Sequence, residues 1–183
     1  MKLMVTRRMT PAAEHALSAR FDTTIMDRTD GLTEAEAAAA MAEYDAVMPT
    51  LGDRFSAGAF RPGLRCRLLA NFGAGYNHID VEAAAHAGIA VTNTPDAVTE
   101  ATADIALTLI LMTARRAGEG ERLLRRGEWT GWQPTQLLGR HVAGCTVGII
   151  GMGRIGKAIA RRCHFGFGMQ VLFHNRSVVS ALD

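Results

Sequence analysis

The stretch Gly148–Ala160, GIIGMGRIGKAIA, decides how the second half of this chain folds. It continues a short apolar run, Cys145–Ile150, suited to a parallel strand buried on both faces. Gly151-Met-Gly153-Arg-Ile-Gly156 follows at once, and Lys157–His164 continues as a helix. Gly151 lets the chain turn sharply out of the strand. Gly153 removes a side chain where backbone must approach a pyrophosphate, and Gly156 lets helix and strand pack closely. The pyrophosphate then lies at the amide-rich, electropositive start of the helix. Glycine-rich turns are common, so the spacing alone is weak; the strand–loop–helix context is what makes it a dinucleotide site.

A second strand, Met169–Phe173, follows in MQVLFHNRS, and Asn175 stands where an acid would bind the ribose hydroxyls of NAD. Asn175 is neutral, and Arg176 and Ser177 come next. An acid would repel the phosphate that distinguishes NADP, whereas an arginine beside small polar donors attracts it through charge-assisted hydrogen bonds. This triplet favours NADP over NAD. The plainer alternative makes Arg176 a solvated strand-end residue with no preference implied.

Outward from this loop, the first half alternates short apolar runs with helical patterns. Strands are expected at Lys2–Thr6, Thr23–Met26, Ala46–Met48, Arg67–Ala70 and Ile89–Thr92, and helices at Pro11–Arg20, Thr33–Tyr44 and Val81–Ala87. Thr10 ahead of Pro11 fits an N-cap, and Thr33 with Glu36 fits a capping box. Strands alternating with helices imply an α/β architecture with parallel pairing. In TNTPDAVTEATADIALTLILMTARRAGEGERLLRRG, Thr99 begins a long helix expected to run to Arg126, with Gly127 as its stop. It is apolar nearly all round from Ile105 to Met112, so it must be buried between domains or against another subunit. Glu128–Val142, with both tryptophans, reads as an extended arm.

Of 183 residues, 48% are hydrophobic and the net charge is only +2, an ordinary balance for a folded chain with a core. The arginine pairs 115–116, 125–126 and 161–162 read as solvated helix surface rather than a basic stripe, which argues against nucleic acid. Cys66, Cys145 and Cys163 lack paired or metal-ligand spacing and read as buried free thiols of a cytoplasmic protein. No apolar run reaches the ~18–20 residues of a membrane span.

Two long segments carry a resemblance. LLGRHVAGCTVGIIGMGRIGKAIARRCHFGFGMQVLFHNRS (137–177) and NFGAGYNHIDVEAAAHAGIAVTNTPDAVTEATADIALTLILMTARR (71–116) resemble the D-isomer-specific 2-hydroxyacid dehydrogenases, especially the glyoxylate/hydroxypyruvate reductase branch. The resemblance implies a flavodoxin-like substrate domain over residues 1–98. The first part of a Rossmann NAD(P)-binding domain would follow over 99–183, with helix 99–126 as connector. It implies hydride transfer between a nicotinamide and C2 of a small 2-oxo or 2-hydroxy acid such as glyoxylate or hydroxypyruvate. The amides of Ala74 and Gly75 would bind the substrate carboxylate, a reasonable task for an anion-binding turn. Thr99, Arg154 and Ile155 would lie at the cofactor. His78 invites a role as base, but the family makes that position structural or cleft-edge; His86 and His141 read as surface residues.

In the family an arginine, a glutamate and a histidine from the later half of the cofactor domain complete the chemistry. No residue of this chain matches them, and the expectation is the N-terminal portion of a longer enzyme. A homodimer through helix 99–126 and arm 128–142 is expected. A non-catalytic dinucleotide-binding sensor or an inactive fragment are the alternatives.

Overall fold

A computed structural model describes residues 1–179. The chain forms two compact units, Met1–Pro95 and Asp96–Asp183, dividing three residues ahead of the boundary expected from sequence.

The first unit carries five strands, β1 (Lys2–Val5), β2 (Asp22–Ile25), β3 (Ala46–Met48), β4 (Leu68–Ala70) and β5 (Ala90–Thr92). All pair in parallel in the order β2-β1-β3-β4-β5, the flavodoxin-like order. Alternation along β1 splits the core between the two sheet faces. Leu3 and Val5, with Ala46, pack under Leu17 and Phe21, beside helix α1 (Pro11–Ser18). Met4 and Val47 face the larger cluster, where Met41 and the alanines of α2 (Glu34–Glu43) and Ala84 of α3 (Val81–His86) lie. The caps are as the sequence implied. Thr10 Oγ1 accepts from Ala13 N, and Thr33 and Glu36 close both halves of a capping box. A short 3₁₀ turn, Ala57–Ala59, has no counterpart in the sequence reading.

Asp53, which the sequence did not single out, sits fully buried at the ends of β1 and β3. One carboxylate oxygen accepts from Thr6 Oγ1 at 2.6 Å and Thr50 N at 2.8 Å; the other accepts from Leu32 N at 2.8 Å. Arg7 stands 3.9 Å away and holds the next loop by donating to Leu51 O.

The second unit opens with α4 (Thr99–Ala114) and α5 (Ala117–Arg125) rather than the single helix expected over 99–126. The chain breaks at Arg115–Arg116, where Arg116 takes a left-handed conformation (φ 55°). Gly118 and Gly120 directly beyond weaken helix continuation, and Arg116 pairs instead with Glu119. Burial all round does not hold within this chain. Among the described residues of α4 only Ala103 is buried, while Ile105, Leu109 and Met112 are exposed. Beyond the arm, β6 (Thr146–Ile150), α6 (Arg154–Phe167) and β7 (Gln170–His174) form a βαβ unit with parallel register, Val147 against Val171. Gly168 ends α6 in the left-handed conformation, so the helix runs three residues past the expected His164.

Arg162 is not the solvated surface residue expected. Its guanidinium bridges α6 to α4, reaching Asp104 at 2.8 Å and Glu100 at 2.7 Å. Among the described residues no helix is long and apolar enough to cross a membrane.

Replacing Asp53 by Asn turns one acceptor into a donor facing an amide or hydroxyl that must itself donate. Asp53→Asn should cost about 2–4 kcal/mol in urea unfolding; an unchanged midpoint would show that the carboxylate is not needed to hold these strand ends.

Candidate functional site

Parallel strands deliver their carboxyl ends to one edge of a sheet, where ligands bind. In the first unit the loop leaving β4 is Asn71–His78, and Asn71 organises it from a buried position. Its Nδ2 donates to Gly73 O at 3.1 Å and Gly75 O at 2.9 Å, drawing both carbonyls inward. Asn93 Nδ2 holds the Ala74 carbonyl at 2.8 Å. With the carbonyls engaged, the amides of Ala74 and Gly75 have no acceptor among the described residues. A side chain at Gly75 would meet nothing within 4 Å, so this turn opens outward.

His78 closes the same loop. Because Asn71 Nδ2 faces two carbonyls, Oδ1 must accept, so His78 Nε2, 3.0 Å away, carries the proton and donates. Burial pushes the His78 pKa below its ordinary value, with Asp53 partly opposing. His86 and His141 are exposed.

Leu51 was missed by the sequence reading. It lies 62% exposed after β3, and a side-chain carbon on Gly73 would sit 3.8 Å from its Cγ. Arg7 fixes its carbonyl. The available signal was position alone: β1 and β3 flank the point where strand order reverses, the place where open α/β sheets bind ligands.

The second unit carries the glycine loop. Gly151 leaves β6 with φ 96°, a conformation that side chains disfavour. A side chain on Gly156 would overlap the Gly151 carbonyl, so the close approach of helix to loop demands glycine there. At Gly153, the N-cap of α6, an added Cβ would meet nothing within 4 Å, and no side chain caps the helix. The first-turn amides, starting at Arg154 and the half-buried Ile155, thus face an open cradle. A cleft of about 750 Å³ beside it is lined by Asp96, Thr99, Glu100, Arg154, Lys157 and Arg161. The Arg154 guanidinium pairs with Asp96 at 2.7 Å, both exposed. Thr99, the first residue of α4, donates its amide to Asp96 O.

At the end of β7, Asn175 Oδ1 accepts from Met152 N inside the glycine loop at 3.1 Å. Its Nδ2 donates to Ser177 O at 2.8 Å and Ser177 Oγ at 3.3 Å. Arg176 and Ser177 are exposed. Among the described residues no cluster of His, Cys, Asp and Glu could hold a metal ion.

Comparison with known proteins gives the family of the chain. Residues 3–179 match the family model of the D-isomer specific 2-hydroxyacid dehydrogenase catalytic domain, and the chain belongs to that family. It is 38% identical over 180 residues to a glyoxylate reductase of Thermococcus onnurineus, covering 96% of this chain and 54% of that protein. It is 48% identical over 139 residues to the glyoxylate reductase of Thermococcus kodakarensis, covering 74% and 41%. A solved structure of a Thermus thermophilus protein superposes with a TM-score of 0.90 at 38% identity, over 99% of this chain and 58% of that one. An NADPH-dependent glyoxylate/hydroxypyruvate reductase from Sinorhizobium meliloti, solved with citrate, superposes at 0.78 with 36% identity, over 99% and 56%. The chain thus spans about half the length of the relatives it matches.

The His78 arrangement predicts a pH dependence. An unfolded His titrates near ~6.5, and the folded value is lower, so the unfolded chain takes up the proton first. Stability is full above that pH and falls as pH drops toward the folded value. Asp45, held down to about 2 by Arg65 and the Lys2 amide, acts only at far lower pH. His78→Gln, which keeps a donor for Asn71, should flatten the urea midpoint between roughly pH 7 and 5. Identical slopes for the two proteins would contradict the assignment.

Proposed function

We propose that this chain serves NADP(H)-dependent interconversion of a small 2-oxo acid and its 2-hydroxy acid, with glyoxylate or hydroxypyruvate as substrate. The observation that carries the reading is the glycine loop: Gly151 and Gly153 leave room where side chains would stand, while Gly156 is packed against backbone. That pattern fits a dinucleotide cradle, in which bound cofactor supplies or accepts the hydride at C2 of the substrate.

Within this reading each residue has a task. Arg154, Ile155 and the neighbouring amides of α6 take the pyrophosphate, assisted by the helix dipole. Taking it up separates Arg154 from Asp96, an exposed pair of little intrinsic strength. Thr99 lines the same cleft. Arg176 and Ser177 attract the adenosine 2′-phosphate, which favours NADP over NAD. In the first unit, the free amides of Ala74 and Gly75 receive the substrate carboxylate, with Leu51 as a neighbouring apolar surface. No residue among the 183 is assigned the proton transfer. The glyoxylate reductase names of several relatives, and the NADPH dependence in the name of the Sinorhizobium protein, support the substrate and cofactor chosen.

A second copy of the chain is the proposed partner. The exposed Ile105, Leu109 and Met112 of α4, with Trp129 and Trp132 of the arm, offer the apolar surface.

Two glycine variants separate cradle from packing. Gly153→Ala should cost less than about 1 kcal/mol of stability, from a poorer N-cap, since Cβ meets only open space, yet weaken NADPH binding about tenfold by filling the cradle. Gly156→Ala should lower thermal stability by about 1–3 kcal/mol, because backbone must move. NADPH titrations followed by nucleotide fluorescence, beside thermal melts, read both. Undiminished NADPH binding by Gly153→Ala would sink the cradle assignment.

A further inference from the structure

Asn175 occupies the position from which an acid would read the ribose, yet its polar atoms are already engaged. The carbonyl end takes the Met152 amide of the glycine loop, and both N–H groups point at Ser177, one at its carbonyl and one at its hydroxyl oxygen. This orientation is fixed by chemistry: a backbone amide can only donate and a backbone carbonyl can only accept. Both N–H groups are committed, so Asn175 can meet a ribose hydroxyl only by accepting through the second lone pair of Oδ1. We infer that Asn175 is a positioning residue: its carboxamide pins the Arg176–Ser177 turn to the glycine loop and so sets the spacing between the pyrophosphate cradle and the 2′-phosphate contacts.

The inference rests on the cofactor reading above and gives it a cause within the chain. The pyrophosphate and the 2′-phosphate of NADP are tied together by one adenosine, so the protein must hold its two anion-binding segments at a matching separation. Backbone supplies one link between them, Gly151 N to His174 O at 2.8 Å. Asn175 supplies the side-chain link, from Met152 across to Ser177. Because Ser177 Oγ accepts from Asn175, its hydrogen is directed elsewhere and is free to donate to a phosphate.

The residue type follows from the same geometry. An aspartate could still accept from Met152 N, but its other oxygen would face the Ser177 carbonyl 2.8 Å away, acceptor against acceptor. The acid that reads ribose in NAD-binding proteins would therefore undo the turn here rather than convert it. Two or three hydrogen bonds of ordinary strength correspond to roughly a tenfold effect or more on an equilibrium that depends on them.

The test is dinucleotide binding by the chain, measured by nucleotide fluorescence with NADPH and NADH in parallel, together with hydrogen exchange at the Met152 amide. In the wild type the Met152 amide should exchange at least about tenfold more slowly than in Asn175→Ala. That variant should lose about tenfold in NADPH affinity and much less in NADH affinity, so that discrimination collapses. A merely structural role would weaken both dinucleotides equally, and that result overturns the inference. Asn175→Asp should lose NADPH without binding NADH better than the wild type; a gain in NADH affinity would make position 175 a reader of ribose and also overturn it. A Met152 amide unprotected in the wild type removes the brace whether or not the variants fold. A wild type binding neither dinucleotide would fell the cofactor reading and this inference together, whereas NADPH binding unaffected by Asn175→Ala would fell the inference alone.

Discussion

A neutral carboxamide at the end of a parallel strand organises each of the two candidate sites. Asn71 follows β4 and Asn175 follows β7, and each donates through Nδ2 while accepting through Oδ1. An amide side chain does both at once, through two separate atoms on one rigid plane. A carboxylate would repel the carbonyls, and an apolar residue would leave them unpaired. Since each carboxamide faces its own loop, the polar groups left over are main-chain amides, and main-chain amides bind anions. In the proposed reading, the anion-binding groups are thus backbone amides that two asparagines hold in place.

The sheets explain why these loops fall where they do. In the first unit both faces of the sheet are covered by helices, so the strand ends are the places where loops can diverge without disturbing the core. Asp53 ties the ends of β1 and β3 at that edge, and Arg7 extends the tie to Leu51. In the second unit the demands on the glycines differ from one to the next. Gly156 answers to packing against Gly151, whereas Gly153 answers to nothing in the protein itself.

Features set by near neighbours in sequence were legible from sequence. The caps at Thr10 and Thr33, the strand before Gly151 and the five strands of the first half depend on local pattern, and the structure moves their ends by only a residue or so. What could not be read depended on distant partners. Arg162 looked like surface because Glu100 and Asp104 lie some sixty positions away in sequence and only folding brings them to it. Asp53 drew no reading from sequence because its partners Thr6 and Leu32 come to it only on folding. The break at Arg115–Arg116 was hidden by the apolar run before it, although Gly118 and Gly120 were in plain view. For the sites, the glycine pattern and the Ala74–Gly75 turn were visible, while the bracing roles of Asn71 and Asn175 required coordinates.

The central claim is that main-chain amides in the two loops are the anion-binding groups. Amide-resolved NMR of the isotope-labelled chain tests it most directly, with NADPH added first and then a small 2-oxo acid such as glyoxylate. The account predicts saturable shifts of the Arg154 and Ile155 amides with the nucleotide, and of the Ala74 and Gly75 amides with the acid. Saturable shifts confined to other residues, with these four amides unmoved, would contradict it.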